Sequence, residues 1–142
     1  MNMWLYCVRH GESVHNAEGR IQGQLDVPLS AFGRRQGEAI AEALAAQPVD
    51  AIYASPLLRA LQTAQIVARR LNLPIRTDDR LKEINVGVFQ DRLRAEVAEL
   101  YPEAFARFTR AAGPRLQVVG DDFLVSSAAL VNEAAAAGAA NA

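Results

Sequence analysis

Short apolar runs alternate with longer amphipathic stretches along most of the chain, and no other feature constrains the fold as much. Met3-Trp4-Leu5-Tyr6-Cys7-Val8 is continuously apolar and breaks at Arg9, which predicts a buried strand. A loop rich in Gly, Asn, Gln and Asp runs from Gly11 to Pro28. Ser30 is then placed to cap a helix whose Ala39, Ile40, Ala43 and Leu44 recur at helical spacing, ending before Pro48. Val49 to Ala54 is the second strand. Ser55-Pro56 predicts a cap with proline at the first helical position, opening a helix filled by Leu57, Leu58, Leu61, Ala64, Ile66, Val67, Ala68 and Leu71. Leu73 to Thr77 is a short peripheral strand, because Pro74 cannot donate to a central ladder. Arg80 to Asp91 reads as a loop with a helical turn, followed by short helices over Arg92–Leu100 and Glu103–Arg110 on either side of Pro102. This rhythm implies βαβ units with right-handed crossovers. The sheet is therefore expected to be parallel, with its site off the carboxyl ends of the strands.

A length of 142 residues suits one compact domain, and 51% hydrophobic with 22% charged residues is globular composition, which excludes disordered and collagen-like classes. Fifteen basic against sixteen acidic side chains give a net charge of -1, so neither nucleic acid nor a membrane surface is expected as a partner. The single cysteine, Cys7, cannot form an internal disulfide, and the apolar run near the start is too short for a signal or a membrane span. Both point to the cytoplasm. After Arg115 the composition changes: Leu116 to Ala142 holds no arginine or lysine, only Asp121, Asp122 and Glu133 as charges, and an alanine-rich ending. A helix from about Asp122 to Ala137 and a low-complexity end are both open there.

Chemistry-bearing residues cluster at the predicted strand ends. Arg9-His10-Gly11-Glu12 follows the first strand; a neutral imidazole is nucleophilic near pH 7 and an adjacent arginine can grip phosphoryl oxygens in bidentate fashion. Ser55-Pro56-Leu57-Leu58-Arg59 follows the second and sets an arginine on the first turn of a helix, beside the positive end of its dipole. Leu81-Lys82-Glu83-Ile84-Asn85-Val86-Gly87 follows the third and carries a carboxylate able to protonate a leaving oxygen. Alone, His10 is as readily a loop histidine, Arg59 a solvated cation and Glu83 a surface charge.

Their order carries more. With Ser13 and Asn16 behind the first segment, Ile21-Gln22-Gly23-Gln24-Leu25-Asp26-Val27-Pro28-Leu29-Ser30, Gly33-Arg34 and Gln62-Thr63-Ala64, the chain from Trp4 to about Gly113 resembles the histidine phosphatase superfamily, which includes phosphoglycerate mutases. The resemblance implies a three-layer α/β sandwich, its mainly parallel sheet flanked by helices, as a single domain with a helical lid insertion at about 90–112. It implies His10 as a transiently phosphorylated nucleophile, Arg9 and Arg59 as clamps on the phosphoryl group, and Glu83 as acid and then base. Asn16, Gln22 and Gly23 would line the substrate side. No cofactor or metal is implied, and no carboxylate and histidine cluster has ligand spacing. The partner would be a small phosphorylated metabolite, with a homodimer left open. At the acid loop, mutases usually carry Glu-Arg-His-Tyr-Gly; this chain has apolar Ile84 and Val86, similar to the phosphatase branch. Phosphomonoester hydrolysis is thus the expected activity, with mutase-type transfer and a catalytically silent phosphate binder as alternatives. By resemblance Arg94, Arg107 and Arg110 of the insertion help choose the substrate.

The family's second catalytic histidine, in a turn after a late apolar strand, has no counterpart: the chain holds only His10 and His15, and His15 reads as a rim residue. Beyond Val118-Val119-Gly120 the motif resemblance stops, and the C-terminal part is expected to be truncated or altered. Missing residues, a frame-shifted tail and a minimal family member are the three explanations, the first two favoured by the abrupt loss of arginine.

Overall fold

The computed structural model describes residues 3–111, which fall into two compact units, one comprising residues 3–9 with 103–111 and the other His10–Pro102. In the second unit the order is α1 (Val14–Glu18), α2 (Ala31–Ala45), β1 (Ile52–Ala54), α3 (Leu58–Leu71), β2 (Ile75–Thr77) and α4 (Arg94–Leu100), with 3-10 turns at Asp79–Leu81 and Gly87–Phe89. Helix α5 (Pro102–Ala111) begins at the boundary of the two units.

The β1–α3–β2 unit pairs its strands in parallel, with Ile52 opposite Ile75, Tyr53 opposite Arg76 and Ala54 opposite Thr77. The α/β character and parallel pairing expected from the sequence are therefore present. On this short sheet Arg76 lies over the Tyr53 ring at 5.7 Å and donates to its hydroxyl at 3.0 Å. The core of this unit comprises Ile21, Val27, Leu29, Ala41, Ala54, Leu57, Ala64, Val67, Ala68 and Val97, all buried. Helix α2 packs on α3 through Gly37, whose missing side chain leaves room for Ile66 Cδ1.

Ser30 caps α2 as expected, its hydroxyl accepting the Gly33 N–H at 3.0 Å. Four expectations need correction. Met3–Val8 is not a strand: a strand exists through its ladder, none of the described residues supplies one, and Met3 and Trp4 are 90% and 71% exposed. Helix α3 begins at Leu58, not at Pro56, because Asp26 Oδ1 accepts the Leu58 N–H at 2.9 Å while Ser55 Oγ takes the Leu57 N–H at 3.2 Å. The expected loop from Gly11 to Pro28 contains α1. Five residues suffice there because Ser13 and Asn16 cap one another's backbone and side chain, and Gly19 ends the helix at φ 71°. Strands β1 and β2 are also shorter than the apolar runs that announced them. The helix anticipated for 122–137 and the rest of the alanine-rich tail lie outside the described residues.

Candidate active site

The loop after residue 9 is fixed by hydrogen bonds to two helices. Gly11 N–H donates to Thr63 Oγ1 at 3.1 Å, and Glu12 N–H donates to Gln36 Oε1 at 2.7 Å. Glu12 also receives Ser30, its carboxylate taking the hydroxyl proton at 2.6 Å and its carbonyl the Ser30 N–H at 2.9 Å. Gly11 and Gly33 make this possible, since a Cβ on either would strike the other segment's backbone.

On this base His10 is half-buried, its Nδ1 2.6 Å from the Gly11 carbonyl oxygen and its Nε2 3.3 Å from Arg59 Nε. A carbonyl can only accept and a guanidinium can only donate, so both contacts require the proton on Nδ1 and a lone pair on Nε2. That is the nucleophilic tautomer, with its lone pair aimed at a cation.

Arg59 is 2% exposed and lies on the first turn of α3. Its Nη2 donates to the Gly23 carbonyl at 2.7 Å and its Nη1 to the Leu25 carbonyl at 3.0 Å. Thr63, one turn on, donates to the Arg59 carbonyl at 2.8 Å. Burial lowers the Arg59 pKa from its ordinary value, while the negative charges of Glu83 and Asp26 pull it back up. The guanidinium remains cationic, and three of its five N–H groups are used in the contacts described, which leaves two for the oxygens of an anion.

The wall facing Arg59 is built from residues 13–25. Gln22 Oε1 accepts the buried Ser13 hydroxyl at 2.6 Å, and Asn16 Oδ1 accepts the Ser13 N–H at 3.1 Å. Asn16 thus serves as a cap, with its side chain directed into this network. Gly23 is buried at φ 49°, and a Cβ there would stand 2.5 Å from Gln90 Oε1 and 2.9 Å from Val86 Cγ2. Gln24 reaches the loop of Glu83–Gln90 twice: its N–H donates to Gln90 Oε1 at 3.0 Å and its Nε2 to the Glu83 carbonyl at 2.9 Å. Glu83 itself is exposed, with Oε1 accepting the Ile84 N–H at 2.9 Å. His15 stands aside, Nε2 bonded to Asp91 Oδ1 at 3.0 Å.

The second unit therefore brings His10, Arg59, Gln22 and Gly23 around one place, with Glu83 close enough for its charge to act on Arg59. Arg9 belongs to the first unit and is exposed. Sequence reasoning did not single out Thr63, Gln24 or Gln90 as site-building residues; the spacing of Thr63 four residues after Arg59 is the one local signal that could have done so. Among the described residues no group of three His, Cys, Asp or Glu side chains could hold a metal ion, and no helix is long and apolar enough to cross a membrane.

A lone-pair imidazole against a buried guanidinium can hold an anion beside a nucleophilic nitrogen. The family model described as histidine phosphatase superfamily (branch 1) matches residues 5–131, most of the chain and well past Arg115. The chain belongs to the histidine phosphatase superfamily. Among curated members of the superfamily, it is 43% identical over 104 residues to phosphoserine phosphatase 1 of Hydrogenobacter thermophilus, covering 73% of this chain and 49% of that protein. To a protein from Yersinia enterocolitica named "probable phosphoglycerate mutase GpmB" it is 43% identical over 99 residues, covering 70% and 45%. Among solved superfamily structures, a mycobacterial glucosyl-3-phosphoglycerate phosphatase complexed with VO3 matches with a TM-score of 0.69 at 38% identity, over 71% of this chain and 50% of that one. YhfR of Bacillus stearothermophilus matches with 0.69 at 31% identity, over 94% and 64%. This chain spans about half the length of the curated superfamily relatives it matches.

Proposed function

We propose that the chain hydrolyses a small phosphomonoester through a phosphohistidine on His10. The observation that carries this reading is the contact between His10 Nε2 and the buried Arg59, with the Nδ1 proton committed to Gly11. The Arg59 Nε–H lets go of His10 Nε2 and turns to a phosphoryl oxygen, the freed lone pair attacks phosphorus, and the bond to the ester oxygen breaks. Glu83, as the acid, gives its proton to that oxygen, releasing an alcohol. Arg59 and Arg9 neutralise charge on the transferring group's oxygens. Glu83, now carboxylate, takes a proton from water, whose oxygen attacks phosphorus; the P–N bond breaks, inorganic phosphate leaves and His10 is restored. Asn16, Gln22 and Gly23 form the substrate-side wall, and Arg94 of α4 helps select the substrate. Relatives named for phosphoserine and glucosyl-3-phosphoglycerate support a small phosphorylated metabolite as substrate class. The lone Cys7 thiol suits a cytoplasmic setting.

Relatives named "probable phosphoglycerate mutase GpmB" and "phosphoglycerate mutase-like protein 4" favour a second reading, phosphoryl transfer between positions of a phosphoglycerate. Against it stands the acid loop, where Ile84 is 63% exposed and offers no group for a second phosphate. Release of inorganic phosphate against phosphoglycerate interconversion separates the two.

The test is to mix the protein with a phosphomonoester and trap the enzyme. An acid-labile, base-stable phosphoprotein is expected, and none in His10→Ala. Full turnover by His10→Ala would refute the nucleophile, and phosphate binding with no phosphoprotein would identify a silent binder.

A further inference from the structure

The acid loop and the buried guanidinium are registered against consecutive residues. Arg59 Nη2 is bonded to the carbonyl of Gly23 and the Glu83 carbonyl is bonded to the side chain of Gln24, at 2.7 and 2.9 Å. Gln24 holds the same loop a second time, through its backbone N–H on Gln90 Oε1 at 3.0 Å. The far end of the loop is pinned independently: Asp91 N–H donates to the Ile21 carbonyl at 2.8 Å, Arg20 Nη1 donates to the Asp91 carbonyl at 2.7 Å, and His15 donates to the Asp91 carboxylate at 3.0 Å. Between those anchors lie Glu83 to Gln90, mostly exposed, with Gly87 at φ 53°. Such a stretch has few packed contacts to hold it, so its acid is placed by hydrogen bonds.

We infer that Gln24 is a positioning residue which, by donating its Nε2–H to the Glu83 carbonyl, sets where the Glu83 carboxyl stands relative to the phosphoryl group held by Arg59. This deepens the proposed phosphatase reading and rests on Glu83 being its acid. The physical content is specific. A general acid must sit within hydrogen-bond reach of the leaving oxygen, and a displacement of about 1 Å can cost roughly 100-fold. Gln24 is exposed and contributes little to the core, so its removal leaves the fold in place while freeing the end of the loop that carries the acid.

Two esters read this out. An alkyl phosphate such as glycerol phosphate needs its leaving oxygen protonated, whereas p-nitrophenyl phosphate expels a stable phenolate and does not. kcat/KM, which reports the steps through P–O cleavage, is measured for both in the full chain and in Gln24→Met, which keeps length and neutrality but has no donor. Glu83→Gln is the reference. In Glu83→Gln the alkyl-to-aryl ratio is expected to fall by about 100-fold, and in Gln24→Met by roughly 10-fold, with aryl activity falling less than alkyl activity. Amide exchange over Ile84 to Gln90 is expected to quicken in Gln24→Met and stay unchanged in α2 and α3. If Glu83→Gln shifts the ratio and Gln24→Met leaves it unchanged, or lowers both esters equally, the positioning role is overturned and the phosphatase reading stands. Unaltered exchange over the loop overturns it too. An unshifted ratio in Glu83→Gln removes the acid assignment and this inference with it.

Discussion

Replacing Gly33 by alanine pits two arguments against each other. Helix propensity alone expects a gain, since alanine exceeds glycine by about 1 kcal/mol within a helix. The structure expects a loss. A Cβ on Gly33 would stand 2.8 Å from both the amide nitrogen and the carbonyl carbon of Glu12, and closer still to its oxygen. Carbon atoms rest comfortably at about 3.5–4.0 Å, so the loop bearing His10 must retreat. It cannot do so freely, because Glu12 is tied to Ser30 through both carboxylate and carbonyl and to Gln36 through its N–H. Overpacking against backbone costs about 1–3 kcal/mol, and each net hydrogen bond loosened about 1 kcal/mol more, for a total of about 3–5 kcal/mol. Gly37→Ala is the control: its Cβ would meet Ile66 Cδ1 at 2.8 Å, the mobile end of a side chain, so it should fall within about 1 kcal/mol of the parent. Urea unfolding measures both. With m of about 1–3 kcal/mol per molar, Gly33→Ala should unfold at a midpoint lower by roughly 1–5 M. A midpoint within about 0.5 M of the parent, or an equal loss in Gly37→Ala, would refute the claim that this close approach is rigid.

Thr63→Val keeps shape but leaves the Gly11 N–H without its acceptor, so stability should fall by about 1–3 kcal/mol in thermal or urea unfolding. Gly23→Ala places a side chain at φ 49° and against Gln90 and Val86; about 1–3 kcal/mol of lost stability is expected by the same measurement, with weaker phosphate binding by titration calorimetry. The Asp78 carboxyl is lowered from 3.8 to about 2, first by the Arg80 side-chain hydrogen bond and then by the Arg80 backbone N–H. A depressed folded pKa adds stability that is fully present above the unfolded value and lost as pH falls through about 2. Carboxyl NMR should therefore find the Asp78 midpoint near 2 and see it rise in Arg80→Gln, and a midpoint near 3.8 in the parent would contradict the pairing.

How much was legible in the sequence depended on how far apart in the chain the interacting groups lie. Ser30 could be read as a cap because its partner, the Gly33 N–H, is three residues away. The α3 cap could not, since Asp26 reaches Leu58 from 32 residues upstream and displaces the local Ser55-Pro56 solution. Met3–Val8 shows the same limit from the other side: its apolar run is local and visible, whereas the ladder that would make it a strand is not local at all. In the site, His10 and Arg59 could be singled out because an imidazole and a guanidinium are chemically conspicuous after apolar runs that read as strands. Their tautomer and direction could not, as these come from Gly11 on one side and a guanidinium 49 residues away on the other. Thr63, Gln24 and Gln90 have no role of their own in a linear reading, although the first two lie in the segments that carry the resemblance. They matter because they bridge separations of 52, 59 and 66 residues, joining the His10 loop to α3 and the acid loop to the wall beside Arg59. Reactive groups in such a site are therefore readable from type and order, and the groups that aim them only from the fold. Substitutions at the aiming groups should accordingly change ratios between substrates, where substitutions at His10 or Arg59 should remove turnover on all of them.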